Sequence, residues 1–192
     1  MSESRLWLIR HAPVAGGRGI IHAPDAPADV SDMAAFAALA AMLPAGAPSF
    51  ASPARRTRDT AAALGLAAIP EPAFREQDFG AWTGRRHRDL EAEGGETYRA
   101  FWAAAATNAP PGGESFVGQI ARVRAGLGAV PIGDVVLVVH SGTVRAALAV
   151  ALDLDPAAAL RFVVDPLSLT RIDRLAGNWR ISGVNQRVGA PT

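Results

Sequence analysis

Two continuous apolar runs, each ending on a histidine, set the strongest limits on the fold of this chain. The first covers residues 6–9 and leads directly into Arg10 and His11, and the second covers residues 134–140 and ends on His140. A strand that is buried on both faces shows such an unbroken run, whereas a strand with one solvent-facing side alternates apolar and polar residues. Both runs therefore predict central strands of a sheet that is covered on two sides.

The segments between the two runs carry helix signals. Ser31 is expected to cap an alanine-rich helix, and Ser52 and Pro53 lead into a second helix that Gly65 ends. Residues 114–129 place apolar side chains at the spacing of a core-facing helix. Strands that alternate with helices imply right-handed crossovers and a mostly parallel sheet. We therefore predict an α/β fold, a three-layer α/β/α sandwich.

Two other regions have weaker patterns. Residues 88–93 and 96–106 are expected to form two short helical pieces in an otherwise irregular stretch. Residues 169–175 and 178–184 alternate apolar and polar side chains, which predicts a closing hairpin.

The composition narrows the class of protein. No charge run or Ser/Gly-rich linker divides the chain, so we expect a single domain over residues 1–192. The net charge is only +1, which disfavours nucleic acid as a partner, because binding its backbone takes a concentrated basic face. No apolar stretch reaches the length of a membrane span and no targeting signal is apparent at the amino terminus, so we expect no membrane partner and a cytoplasmic location.

Two missing residue types exclude whole classes of chemistry. The chain has no cysteine, which rules out disulfides and thiol catalysis and fits a reducing compartment. All 19 of its basic residues are arginine, so a Schiff-base lysine and a P-loop lysine are also excluded. Biased codon usage explains this composition in general, but individual arginines are good bidentate ligands for phosphate.

The two histidines mark the expected functional edge of the sheet. Ligands of open α/β sheets bind at the carboxyl ends of strands, where both His11 and His140 are expected. One histidine at a strand end is usually structural, but two at equivalent ends, one of them beside Arg10, favour a site. Arg56 and Arg58 lie at the start of the predicted second helix, where free backbone N–H groups and the positive end of the helix dipole attract anions.

This combination suits a phosphate dianion and a histidine nucleophile. Arginines and helix N-termini supply fixed donors to the non-bridging oxygens of phosphate. A histidine that attacks phosphorus must be neutral at the attacking nitrogen, and neighbouring arginines disfavour its protonation. A carboxyl group must then protonate the leaving oxygen, and Glu76, flanked by Phe74, Phe79 and Trp82, is the best candidate.

Five motifs of the sequence resemble those of the histidine phosphatase superfamily, which has the phosphoglycerate mutase-like fold. They are, in chain order, LIRHA, ASPARRTRDTA, FREQDFGAWTG, PGGES and VLVVHSGTVRAAL. Each motif is weak alone, but their shared order and their spread over most of the chain make the set specific. In its compactness and in DFGAWTG, the chain is most similar to the α-ribazole phosphatase-like branch.

The resemblance implies a role for each site residue. His11 would be the phosphorylated nucleophile, and Glu76 would act first as the acid and then as the base. The phosphate would be held by Arg10, Arg56, His140 and the backbone N–H of Ser141. The resemblance thus implies a phosphomonoesterase that acts through a phosphohistidine.

The register of the second motif selects Arg56 over Arg55 and Arg58 for this role. No metal and no other cofactor is implied, because the arginines supply the charge neutralisation. The implied partner is a small phosphorylated substrate, with α-ribazole 5'-phosphate as the first candidate.

The loop after the first histidine departs from the family pattern. Ala12, Val14 and Gly17 stand where the family has glycine, threonine and asparagine, so two polar groups near the phosphate are missing. Arg18 and His22 in the same loop are candidates to replace them.

Other functions stay open at this point. A phosphoglycerate mutase would return the phosphoryl group to a second hydroxyl, but the interval of residues 77–139 is shorter than in the family's cofactor-dependent mutases. The altered loop leaves open a non-catalytic module that binds phosphate esters. The spacing of the histidines argues against a metallohydrolase, and the lack of a Gly-x-Ser-x-Gly motif argues against a serine hydrolase. The basic residues 85–88 form either a lid over the substrate or a solvated face.

Overall fold

The computed structural model describes residues 3–17, 19–176 and 178–187. Within those residues, its central element is a sheet of six strands. The strands are β1 (Ser4–Arg10), β2 (Ser49–Ala51), β3 (Ile69–Pro70), β4 (Gly133–Val139), β5 (Leu169–Leu175) and β6 (Asn178–Gln186). Their order is β3-β2-β4-β1-β5-β6, and the first four pair in parallel. Strands β5 and β6 are antiparallel. The predicted mostly parallel sheet and its closing hairpin are confirmed.

The helices follow the strands in the predicted alternation. They are α1 (Met33–Ala41), α2 (Arg55–Ala63), α3 (His87–Ala103), α4 (Phe116–Ala129), α5 (Ser141–Leu152) and α6 (Pro156–Ala159), with 3-10 turns at Pro72–Phe74 and Gly80–Trp82. Helix α6 was not predicted, since four residues are too few for a periodic apolar pattern. None of the described helices combines the length and the apolar character needed to cross a membrane.

The cap predicted for α1 is wrong by one residue. The side chain of Asp32 accepts from the backbone N–H of Ala35 at 3.0 Å, which is the N-cap hydrogen bond. The hydroxyl of Ser31 instead donates to Asp29 at 2.6 Å, one step earlier in the loop. Either side chain suits the cap, and the carboxylate holds the position that begins the helix.

Apolar side chains cover both faces of the sheet. On β4, Val135 and Leu137 pack against α4 and α5, while Val136 and Val138 point to the opposite core with α1 and α2. This alternation is the period-2 pattern of a strand that is buried on both sides. The three-layer α/β/α arrangement is therefore confirmed.

Helix α3 bends where two helical pieces were expected. Gly95 has φ 36° and ψ −100°, which breaks the helical conformation inside the segment. A positive φ of this kind is accessible to glycine at little cost. The break lies between the two predicted pieces, so this expectation is confirmed.

Candidate active site

The first histidine lies at the carboxyl edge of the sheet, directly after β1. Strands β1 and β4 pair with Arg10 opposite Val139, so the residues that follow them, His11 and His140, lie side by side. Their ring centroids are 5.1 Å apart with the planes at 68°. The sequence expectation that two strand ends bring these histidines together is met by this register.

The hydrogen bonds of His11 define its tautomer. Its Nδ1 lies 2.7 Å from the carbonyl oxygen of Ala12, and its Nε2 lies 3.3 Å from Nε of Arg56. A carbonyl can only accept and a guanidinium can only donate, so Nδ1 carries the proton and Nε2 presents its lone pair. The unprotonated nitrogen is therefore the one that accepts from the arginine.

Burial keeps the His11 ring neutral. The residue is only 6% exposed, and burial lowers the pKa of His11 well below the usual value for histidine. The nearby His140 and Arg56 lower that pKa further, while the Ala12 carbonyl opposes the shift. At neutral pH the lone pair on Nε2 is consequently available.

The second histidine is fully buried. Nε2 of His140 lies 2.8 Å from the hydroxyl oxygen of Ser52, and its Nδ1 has no hydrogen-bond partner in the described part of the chain. Burial, followed by the charges of Arg56 and Arg10, lowers the pKa of His140 well below its usual value. A buried imidazole nitrogen without a partner costs free energy, and a ligand at this edge would satisfy it.

Two guanidinium groups flank the histidines. Arg56, at the start of α2, is 6% exposed and donates from Nη1 to the carbonyl of Ala23 at 3.0 Å. Arg10 donates from Nη1 to the carbonyl of Val164 at 2.5 Å, and its buried Nε is unpaired within the residues described. Burial lowers the pKa of both arginines, and the carboxylate of Glu76 opposes that shift in each. Both stay cationic at neutral pH, because the arginine pKa starts so high.

The exposed arginines of α2 do not join this cluster. Arg55 and Arg58 are exposed, whereas Arg56 is buried against His11. Only Arg56 among the three predicted candidates therefore meets the histidine in the structure.

The carboxyl group of Glu76 comes from the loop between the two 3-10 turns. Its Oε1 accepts from the backbone N–H of Gln77 at 3.1 Å and from the side chain of Gln119 at 3.2 Å. Its Oε2 accepts from the backbone N–H of Gly142 at 3.4 Å, at the N-terminus of α5. The first residue of that helix, Ser141, has one of the backbone N–H groups that lack an acceptor inside the helix. The carboxylate and this helix N-terminus therefore meet at the edge where the histidines lie.

The sequence matches the model of a known family over most of its length. The family model of the histidine phosphatase superfamily (branch 1) matches residues 6–187. The chain belongs to this superfamily.

The relatives found by sequence are longer than this chain, and the match covers only part of each. A bifunctional protein of Mycobacterium tuberculosis is 33% identical over an alignment of 127 residues, which covers 62% of this chain and 35% of that protein. The chain thus spans about a third of the length of the curated relatives that it matches.

Solved structures match over nearly the whole chain. The α-ribazole phosphatase from Shigella flexneri has a TM-score of 0.82 and 23% identity, covering 98% of this chain and 100% of that one. A mycobacterial glucosyl-3-phosphoglycerate phosphatase has a TM-score of 0.80 and 27% identity, covering 96% and 99%. A protein from Thermus thermophilus has a TM-score of 0.69 and 31% identity, covering 88% and 92%. These likenesses confirm the phosphoglycerate mutase-like fold.

Two side chains that the sequence did not single out lie against the histidine phosphatase site. Arg145, one turn beyond Ser141 on α5, donates from Nε to the carbonyl of Phe162 at 2.9 Å. Burial lowers the pKa of Arg145 while the carboxylate of Glu76 opposes the shift, so the two charges lie within electrostatic reach. Gln119 contacts Glu76 directly. The sequence feature that could have pointed to Arg145 is its place on the helix that follows the second histidine.

The loop between the two 3-10 turns, which carries Glu76, is tied to α4 through Glu114 of the PGGES motif. The carboxylate of Glu114 accepts from the backbone N–H of Asp78 at 3.2 Å and forms an ion pair with Arg122. The guanidinium of Arg122 also donates to the carbonyls of Ala73 and Arg75, at 2.8 Å and 3.1 Å. Glu114 of the motif and its partner Arg122 therefore hold the backbone on either side of Glu76.

The loop after His11, which departs from the family pattern, is held by contacts of its own. Ala12 is fully buried, and its N–H donates to the hydroxyl of Thr60 at 3.0 Å. Val14 pairs with Ala28 in an isolated antiparallel bridge. His22 is half-buried, and burial followed by the charge of Arg56 lowers its pKa, so it lies near the site. Gly17 ends the first described range, and Arg18 lies outside the described residues.

The basic cluster at residues 85–88 meets this loop through the backbone. The N–H of Ile21 donates to the carbonyl of Arg85 at 2.9 Å, and Ile20 pairs with Arg86 in an antiparallel bridge. The side chain of Arg85 forms an ion pair with Glu93. The segment therefore supports the loop, which is a structural role that the two sequence alternatives, lid and solvated face, did not include.

Proposed function

We propose that this protein is a metal-independent phosphomonoesterase that acts on a small phosphorylated metabolite through a phosphohistidine intermediate. One observation carries the proposal: the neutral His11 ring presents the lone pair of Nε2 to the Arg56 guanidinium, and the ring of His140, whose Nδ1 has no partner among the described residues, packs against it with the centroids 5.1 Å apart. A nucleophile, a cation and a spare donor at one edge suit phosphoryl transfer.

In the first half-reaction, Nε2 of His11 attacks phosphorus and the bond from phosphorus to the leaving oxygen breaks. Arg10, Arg56 and His140 hold the non-bridging oxygens, where their charges and donors stabilise the transition state. For His140 to donate from Nδ1, the hydroxyl of Ser52 donates to its Nε2. Glu76 gives its proton to the leaving alkoxide, so the alcohol departs neutral.

In the second half-reaction, the ionised Glu76 takes a proton from water as the water oxygen attacks the phosphohistidine. The bond between phosphorus and nitrogen breaks, and its electron pair returns to Nε2 of His11. Inorganic phosphate leaves, and both residues regain their starting protonation states.

Arginines take the part that a metal ion plays in other phosphatases. In residues 3–17, 19–176 and 178–187, no group of three His, Asp or Glu side chains is placed to hold a metal ion. Arg10 and Arg56 supply positive charge at the site, so the proposed reaction needs no cofactor.

The substrate is proposed from two lines of support. The sequence resemblance favours α-ribazole 5'-phosphate, and the structural neighbours include an α-ribazole phosphatase and a glucosyl-3-phosphoglycerate phosphatase. α-Ribazole 5'-phosphate is therefore the first candidate substrate to assay and glucosyl-3-phosphoglycerate the second. The single domain, the cytoplasmic location and the lack of a nucleic-acid partner stay predictions.

The test is phosphate release from p-nitrophenyl phosphate with and without EDTA. Wild type is expected to release phosphate equally in both, and His11→Ala is expected to lose activity together with the acid-labile phosphoenzyme. His87→Ala is the matched control, because this histidine lies on α3 outside the site. EDTA-sensitive release that survives His11→Ala would overturn the proposal. Phosphoryl transfer to an added alcohol in preference to water would favour the mutase alternative, and failure to turn over any ester would favour the non-catalytic module.

A further inference from the structure

A glutamine on the core-facing side of α4 touches the proposed acid. Gln119 is fully buried, between the buried Phe116 and Val123 on the predicted core-facing side of the helix. Its Nε2 lies 3.2 Å from Oε1 of Glu76 and 3.2 Å from the carbonyl oxygen of Arg75. Both amide hydrogens are therefore in use. Burying an amide in a core is costly unless it is paired, so its contacts with the acid loop account for its place.

The other end of the same amide is unsatisfied. Oε1 of Gln119 is buried and accepts no hydrogen bond from any described residue. An amide has both a donor and an acceptor end, so it can pair with either form of a carboxyl group. The NH₂ end donates to the ionised form, and the carbonyl end accepts from the protonated form after the amide rotates.

The backbone of α5 at Gly142 lies against both the carboxyl group of Glu76 and the amide of Gln119. A Cβ added to Gly142 would lie 2.2 Å from Oε1 of Glu76 and 2.9 Å from Oε1 of Gln119. Both distances are too short for real atoms, so the carboxyl and the amide occupy the place that a Cβ at Gly142 would need. The carboxyl group of Glu76 is therefore confined by its neighbours.

We propose that Gln119 is a positioning residue that holds Glu76 in place in both of its protonation states. The inference rests on the proposed function, in which Glu76 is first the acid and then the base. Gln119 touches neither the phosphate nor the nucleophile in this scheme, and it acts only through Glu76. A leucine at the same position fills similar space but holds neither form of the carboxyl group.

The test compares two esters that differ in how much they need an acid. Phenolate is a poorer leaving group than p-nitrophenolate, so phenyl phosphate depends more on proton donation than p-nitrophenyl phosphate does. The value of kcat/KM for each ester reports the steps up to the phosphoenzyme. For Gln119→Leu we expect a loss of about tenfold with phenyl phosphate, a part of the 10²- to 10⁴-fold that a general acid contributes, and a loss of about twofold or less with p-nitrophenyl phosphate. The KM for p-nitrophenyl phosphate is expected to stay as in wild type.

One further variant, Glu76→Gln, allows the inference about Gln119 to be tested separately from the proposed function. Glu76→Gln should show the same preference for the better leaving group, and more strongly. If Glu76→Gln lowers both esters equally, the acid role fails and the inference about Gln119 fails with it. If Glu76→Gln shows the preference but Gln119→Leu lowers both esters equally or neither, only the inference is overturned.

A control variant separates positioning from general damage to α4. Val123→Ala, one turn along the helix, removes buried apolar atoms without touching Glu76 and should affect both esters alike. Gln119→Met is measured in parallel as a flexible apolar replacement in case the leucine variant does not fold. The inference predicts the same ester preference for Gln119→Met as for Gln119→Leu, and an equal effect on both esters would overturn it.

Discussion

The Nε–H of Arg56 donates to Nε2 of His11 at 3.3 Å, so a buried cation contacts the lone pair that we propose as the nucleophile. This contact does two things. It fixes the imidazole plane toward the edge of the sheet, and it disfavours a second proton on the ring. A bound phosphate would compete with His11 for the same guanidinium. The positive charge of Arg56 would then lie against the phosphoryl group that is transferred.

Arg56→Met is expected to lower kcat/KM for p-nitrophenyl phosphate by about 10²-fold or more, the loss typical of a fixed donor to a developing negative charge. Methionine replaces the apolar stem of the arginine side chain but removes the guanidinium and its charge. Arg58→Met on the same helix is the matched control, because Arg58 is exposed. We expect that control to stay within about twofold of wild type. Equal losses in the two variants would mean that the charge of the helix as a whole matters, rather than the contact with His11.

Folding stability should decrease with falling pH because of the two site histidines. Burial holds the pKa of His11 and the pKa of His140 well below the usual histidine value. As the pH falls through about 6.5, the unfolded chain takes up protons that the folded rings do not. The free energy of unfolding therefore falls, by up to about 1.4 kcal/mol per pH unit for each histidine, until the folded rings protonate at a lower pH.

Urea unfolding of wild type and His140→Asn at several pH values measures this effect. Between about pH 7 and about pH 5.5 the variant should lose less stability than wild type, by the contribution of one histidine. Above about pH 7.5 the two curves should run parallel, since neither state then binds the proton. The same slope in both proteins at acid pH would show that His140 does not resist protonation in the folded state.

The sequence predicted the edge of the sheet at which the site lies but only part of the network around it. The unbroken apolar runs of β1 and β4 identify central strands, and parallel central strands end at the same edge. His11 and His140 could therefore be placed together from the sequence alone. Arg56 was accessible in a similar way, because a helix N-terminus after a strand faces the same edge.

Gln119 and Arg145 were missed for a different reason. Gln119 lies on a helix whose apolar spacing correctly predicts a core-facing side, but nothing local indicates that this side also reaches Glu76. Arg145 lies on the helix after the second histidine, which marks its neighbourhood but not its closeness to the charge of Glu76. The contact from Gln119 to Glu76 joins residues that are 43 positions apart in the chain. Such a contact follows from how α4 packs on the 3-10 turn before Glu76, which the apolar spacing of one helix does not define.

Gly142→Ala should reduce activity because of a single methyl group. The added carbon would meet Oε1 of Glu76 at 2.2 Å, so the carboxyl group must move away from its present position. We expect kcat for phenyl phosphate to fall about tenfold or more, since the proposed acid is displaced. Gly128→Ala is the matched control: a Cβ there meets nothing within 4 Å, and alanine should raise the stability of α4 by about 0.5–1 kcal/mol without changing kcat. Full activity in Gly142→Ala would mean that the position of the carboxyl group is not critical.

Arg122→Met should loosen the loop that carries the proposed acid. The guanidinium of Arg122 bonds the carbonyls of Ala73 and Arg75 and pairs with Glu114, and its side chain is 18% exposed. Removing these partly buried hydrogen bonds is expected to lower the free energy of unfolding by about 1–3 kcal/mol. Because the loop would then hold Glu76 less firmly, kcat should fall while KM changes little.

Arg124→Met is the matched control for this change, since Arg124 lies on the same helix but is exposed. Its free energy of unfolding should stay within about 0.5 kcal/mol of wild type, as for most surface substitutions. Urea unfolding and steady-state kinetics on both variants separate the two effects. If Arg122→Met lost stability but kept its kcat, the contacts of Glu76 with Gln77, Gln119 and Gly142 would be enough to hold the carboxyl group, and the pair of Arg122 with Glu114 would serve the fold rather than the reaction.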